Sequence, residues 1–158
     1  MKQKLKLALV GAGERGQYCY APYAKMHGYE IEFVAVADPH KGRREKFVQD
    51  YHVPAEGVFE TAEQFFARPR MADAVLICTQ DSHACQAIDL GYSILLEKPI
   101  SPSVRECLDL QRRAEEKGTQ IMVCHVMRYT KFYRKLKELI DSGVIGDVVH
   151  VTHTENVA

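Results

Sequence analysis

Residues 6–17 read KLALVGAGERGQ, an apolar run that breaks into glycines at 11, 13 and 16. A Gly-x-Gly-x-x-Gly turn alone is weak evidence, because glycines gather in any tight loop. Its flanks decide the reading. The run Leu5–Val10 predicts a strand feeding directly into the turn, and a helix is predicted from about Glu14. In that setting Gly11 permits the tight turn, Gly13 lets a phosphate come close to the backbone, and Gly16 lets the helix lie against the strand. The unpaired amides of the helix start, around Glu14, Arg15 and Gly16, act with the helix dipole to favour a pyrophosphate.

A second apolar run, Ile31–Ala37, ends in Asp38, 22 residues beyond Gly16. A dinucleotide site wants a carboxylate there, because its oxygens accept bonds from the adenosine ribose hydroxyls. The plainer alternative is that Asp38-Pro39 starts a turn and caps the next helix. An ionised Asp38 repels the extra phosphate of NADP, which favours NAD. His40, Lys41, Arg43 and Arg44 follow at once. They would neutralise that phosphate if Asp38 turned away, or else form the solvated first turn of a helix, so NADP stays open. A methyltransferase turn fits less well, since those enzymes usually carry an acid two residues before the first glycine, where this chain has Leu9.

At 158 residues the chain has the length of one domain and needs no disulfide or metal staple. Its 21 basic and 21 acidic side chains cancel without a block of either sign. A small molecule is therefore expected as ligand, rather than a nucleic acid or a membrane surface. No apolar stretch has bilayer-spanning length, and the first residues run straight into a strand. Cysteines 19, 78, 85, 107 and 124 show no Cys-x-x-Cys pair, which suits a reducing, cytoplasmic compartment. Cys78, His83 and Cys85 lack the paired spacing of a zinc site, so no metal is expected.

Short Leu/Ile/Val-rich runs at 5–10, 31–37, 74–79, 93–97 and 120–126 alternate with helical segments. Runs that are almost continuously apolar belong to strands covered on both faces, so the pattern predicts an α/β fold, a doubly wound parallel sheet of Rossmann type. Thr61 and Gln64 are spaced as a capping box. Ser101 with Pro102 predicts the start of another helix, and Gly118 its end. Phe132, Leu136, Leu139 and Ile140 define one face of a helix stopping at Gly143, and residues 147–154 then alternate as a strand would.

Residues 75–101 read VLICTQDSHACQAIDLGYSILLEKPIS. A strand ends at Thr79, a loop carries Asp81 and His83, and a further strand ends in Glu97-Lys98-Pro99. Ligands of open parallel sheets bind beyond the carboxyl ends of the strands, so Thr79, His83, Glu97 and Lys98 are expected to border the same crevice as the glycine turn.

Together these pieces resemble the glucose-fructose oxidoreductase, inositol dehydrogenase and MocA family (Gfo/Idh/MocA). The likeness rests on Gly-Ala-Gly-x-x-Gly at 11–16, Ala37-Asp38-Pro39, Thr79 with His83, Gly91, Glu97-Lys98-Pro99, and RYTKFYRKLKELIDSGVIGDVVHV at 128–151. It implies an NAD(P)-dependent oxidoreductase acting on a sugar, polyol or related hydroxy compound. Lys98 would sit beside nicotinamide and substrate, where an ammonium can bond a substrate hydroxyl and stabilise developing negative charge. Arg128 and Tyr129 would pass near the substrate, and the bond before Pro99 is often cis in the family.

The resemblance also implies a division into a dinucleotide-binding domain, 1–124, and a segment, 125–158, holding a connecting helix and the first strand of a truncated second α/β domain. The family's proton-transfer Asp and His lie in that second domain. Little turnover is therefore expected from this chain alone, and a non-catalytic dinucleotide-binding module is the alternative, with a bare interaction scaffold ranked last. Between His83 and Gly91 the chain is about one helical turn shorter than usual, so a short crossover helix is expected. An unpartnered strand over 148–154 is a template for self-association.

Overall fold

Residues 3–79 and 83–156 are described by the computed structural model, which divides into two compact units, Met1–Cys124 and His125–Ala158. The first unit runs β1 (Leu5–Val10), a π-helical turn (Arg15–Tyr20), α1 (Pro22–Met26), β2 (Ile31–Ala37) and α2 (Lys41–Tyr51). It continues with β3 (Val58–Phe59), α3 (Ala62–Phe66), β4 (Ala74–Ile77), α4 (His83–Asp89), β5 (Ser93–Leu96), α5 (Val104–Lys117) and β6 (Ile121–Val123). The sheet is all parallel in the order β3-β2-β1-β4-β5-β6.

The apolar runs are continuous in the inner strands because β1, β4 and β5 have layers packed on both faces, whereas edge strand β6 leaves Met122 exposed. Ala8, Val10, Val75, Ile77, Ile94 and Leu96 pack with Phe65, Ile88 and Leu110 on one side. Leu9, Val36 and Leu76 pack with Ala21, Ala24 and Phe47 on the other. Phe47 anchors α2 under the strand that carries Asp38, meeting Phe33 edge-on at 5.0 Å and Tyr51 at 4.5 Å.

Several boundaries differ from the sequence reading. The strands expected to reach Thr79, Glu97 and Val126 stop at Ile77, Leu96 and Val123, where the chain turns into the loops of the carboxyl edge. β3, only two residues long, is too short for a periodic signal. The α5 N-cap is Ser103, whose hydroxyl accepts from the Glu106 amide at 3.4 Å. Ser101 instead accepts from the Ser103 amide at 3.0 Å, so Pro102 precedes the helix rather than opening it. Thr61 caps α3 as expected, accepting from the Gln64 amide at 3.3 Å, but the Gln64 side chain reaches the amide of Glu60, not Thr61. Gly118 closes α5 at φ +63°, a left-handed conformation that favours glycine. Asp81 lies outside the described residues, and α4 is short, at seven residues.

The second unit holds a 3₁₀ turn (Val126–Tyr129) and α6 (Lys131–Asp141), capped by Thr130. Residues 147–156 form no strand. Alternation of side chains gives a segment a strand's pattern, but the extended backbone is stabilised only by a neighbour to pair with, and the second unit supplies none among the described residues.

Phe47→Ala removes the ring that holds α2 to β2, and is expected to destabilise the fold by about 3–5 kcal/mol. The shift in urea midpoint checks it.

Candidate functional site

The sheet does not end with its strands. Backbone hydrogen bonds continue the ladder one residue further along the carboxyl edge. Asp38 N–H donates to Phe59 O at 3.3 Å, Gly11 to Ala37 at 2.8 Å, Cys78 to Val10 at 2.8 Å, Glu97 to Ile77 at 2.9 Å, and Cys124 to Leu96 at 2.9 Å. This row sets Asp38, the glycine turn, Thr79 and the Glu97-Lys98 step side by side. Between β1 and β4 the strand order reverses, which is where open α/β sheets bind their ligands.

Each glycine of the turn has a distinct constraint. Gly11 adopts φ +93°, and a Cβ there would lie 2.9 Å from the Thr79 methyl. A Cβ on Gly16 would lie 2.4 Å from Gly11 O and 2.9 Å from the Leu9 side chain, so this residue lets the π turn press onto β1. Gly13 differs, because a Cβ there would meet only the Arg43 guanidinium, at 3.9 Å. Its face is open. Glu14 stands at the start of the helical segment with no side-chain cap, so the first-turn amides are left without the partner that Ser or Asp would supply there.

Asp38 is buried, and both its oxygens are engaged. One accepts from the Ala12 amide at 2.7 Å, within the glycine turn, and the other from the His40 amide at 2.8 Å. The carboxylate therefore ties the end of β2 to the turn after β1, and the two sequence readings, turn-former and site residue, meet in one side chain. The basic cluster that follows is neither wholly solvated nor all aimed at a phosphate. Arg44 is buried, donating to Asp38 O at 2.6 Å and pairing with Glu60 at 3.2 Å. His40 caps α2, accepting from the Arg43 amide at 3.3 Å, and leaves Arg43 as the cation beside Gly13.

Thr79 and His83 are brought together, Oγ1 to Nδ1 at 2.8 Å. The other ring nitrogen of His83 lies 3.4 Å from Glu63, and Phe66 stacks on the ring at 6.0 Å. His83 is thus held toward α3.

At the other end of the row, Glu97 is buried, Tyr20 donates its hydroxyl to Glu97 Oε1, and Glu97 Oε2 accepts from the Lys98 amide at 2.8 Å. Arg15 Nε approaches Oε1 at 4.0 Å. The Lys98–Pro99 peptide is cis. Burial first, then Glu97, pushes the Cys78 thiol up to about 12, so it is an inert thiol at neutral pH. Burial, with Cys124 and Glu97, also raises the Tyr20 phenol well above its ordinary range, which keeps it a donor. Arg128 and Tyr129 belong to the second unit, where Arg128 lines a cleft with Tyr133 and Lys137, and Tyr129 is exposed.

Tyr20 was not singled out by sequence, and Arg44, named there only as part of a basic cluster for a phosphate or for solvent, faces inward instead. Nothing in the spacing marks Tyr20, and Arg44 sits in a run of charge.

The family model described as "Oxidoreductase family, NAD-binding Rossmann fold", GFO_IDH_MocA, matches residues 5–125. The chain belongs to this family. Inositol 2-dehydrogenase of Pseudomonas syringae pv. syringae is 31% identical over 157 residues, covering 94% of this chain and 46% of that protein. Scyllo-inositol dehydrogenase of Lactobacillus casei superposes with a TM-score of 0.81 at 23% identity, over 93% of this chain and 44% of that one. The WlbA dehydrogenase of Bordetella pertussis, solved with NADH and UDP-GlcNAcA, gives 0.81 at 20% identity, over 91% and 44%. These likenesses confirm the Rossmann-type fold, and the chain spans about half the length of the curated relatives it matches. It carries the family's NAD-binding domain. Among the described residues no helix is long and apolar enough to cross a membrane.

Gly16→Ala forces a methyl into the Gly11 carbonyl and is expected to cost about 3 kcal/mol, while Gly13→Ala leaves stability within about 1 kcal/mol. Parallel urea denaturation of the two variants checks the contrast.

Proposed function

We propose that this chain holds NAD across the carboxyl edge of its sheet, as the coenzyme half of an oxidoreductase acting on a sugar, polyol or related hydroxy compound. The observation that carries this is the continuous row from Asp38 through the glycine turn to Lys98 at the strand-order reversal, in a member of an NAD-binding family. The residues fit such a group. The open face of Gly13 leaves room for a diphosphate, with Gly11 and the amides of Glu14, Arg15 and Gly16 around it. Each Asp38 oxygen has accepted one backbone bond, and a carboxylate has about four acceptor sites, so capacity remains for the ribose hydroxyls. Thr79 and His83 would border the middle of the coenzyme and Glu97-Lys98 its nicotinamide end.

Bound there, the nicotinamide would supply hydride transfer. Lys98, in the catalytic role, would bond the substrate hydroxyl and stabilise charge as its proton leaves, and Arg128 and Tyr129 would serve the substrate side. Asp38 supports NAD, with NADP admitted through Arg43. Five free cysteines support a cytoplasmic location. The relatives are about twice as long, which supports weak or absent turnover by this chain alone, as a dinucleotide-binding module. The two compact units, parting after Cys124, support a coenzyme domain followed by the start of a substrate domain.

Fluorescence titration is expected to show saturable NADH binding, weakened tenfold or more by Gly13→Ala without loss of stability. Asp38→Ala is expected to lower NAD affinity by about tenfold and narrow the preference over NADP. Silence at millimolar coenzyme overturns the reading. An assay of hydride transfer to a panel of inositols and sugars separates enzyme from module.

Residues 148–154, with no strand beside them in the second unit among the described residues, would pair with the same segment of a second copy. Sedimentation is expected to show concentration-dependent self-association that disappears on deletion of residues 147–158.

A further inference from the structure

We propose that Tyr20 is a positioning residue for Lys98, acting through Glu97; the inference rests on the coenzyme reading given above. Tyr20 is the last residue of the π turn and Glu97 the first beyond β5, 77 positions apart in sequence. The hydroxyl of one meets the carboxylate of the other, and the second carboxylate oxygen folds back onto the amide of Lys98 at 2.8 Å. Glu97 is only 8% exposed. Its remaining cationic neighbour, Arg15, is half-exposed and stands at 4.0 Å.

A carboxylate buried in this way keeps its position through its donors. Removing the closest one leaves an oxygen short of a partner where water is scarce. Glu97 would then turn toward Arg15 and release the Lys98 amide, changing the backbone that presents the Lys98 side chain. Tyr20 thereby couples the phosphate-binding helix to the nicotinamide end of the site. Glu97, read from sequence as a coenzyme contact, acts as the link.

The test uses Tyr20→Phe, Glu97→Gln and the double variant, with the exposed Tyr29→Phe as control. NADH affinity is read by fluorescence and the Lys98 amide resonance by ¹H–¹⁵N NMR without coenzyme. Tyr20→Phe is expected to move the Lys98 amide and weaken NADH binding by about tenfold. The double variant should be no weaker than Glu97→Gln alone, because both changes break one chain of contacts. An unmoved Lys98 amide in Tyr20→Phe, or losses that multiply in the double variant, overturns the proposal while leaving the coenzyme reading intact. A lowered melting temperature with unchanged NADH affinity does the same, since it marks a merely structural bond. If the unaltered chain binds no NADH, the coenzyme reading falls, and this inference with it.

Discussion

The site depends on backbone pairing that outlasts the strands. A parallel sheet aligns its chains in one direction, so all its carboxyl ends emerge along one edge. Here each emerging chain is held by the carbonyl of its neighbour one step further out. That pairing fixes the turn after β1 against the loops after β2 and β4. Side chains then finish what the backbone begins. Asp38 bonds the glycine turn to the end of β2, and Glu97 bonds the end of β5 to the helix that follows the turn. The amides of the glycine turn and the Lys98 step are consequently parts of one braced surface rather than separate loops.

The bracing uses buried charge, and its arrangement shows why burial is tolerated. Asp38, Arg44 and Glu97 are each nine-tenths buried or more. Each side chain has two hydrogen-bond partners, and a partner costs the chain less than an unsatisfied ion would. Their partners are mostly backbone groups that must be satisfied anyway, so one side chain resolves two demands.

Much of this was legible in the residues themselves. β1 and β2 were bounded correctly because apolar runs buried on both faces start and stop abruptly. The glycine turn was legible because three glycines at that spacing after a strand meet different steric demands, which the space around Gly11, Gly13 and Gly16 displays. What sequence missed is long-range. The bond from Tyr20 to Glu97 spans a large part of the chain and leaves no periodicity. β3 is too short to have one. Arg44 read as a phosphate-neutralising or solvated residue because its neighbours are charged, yet helical geometry turns it inward while Lys41 and Glu45 face solvent. The segment 147–154 shows the reverse error, a strand pattern without a strand, because alternation records what a backbone is suited to and not whether anything lies beside it.

The double engagement of Asp38 bears on how such a domain can change its coenzyme over evolutionary time. Exchanging the acid for a smaller or basic residue would strip acceptors from the amides of Ala12 and His40 and loosen the turn itself. Any change of coenzyme preference made at this position would therefore also carry a structural cost in the turn, whatever it does to the ligand.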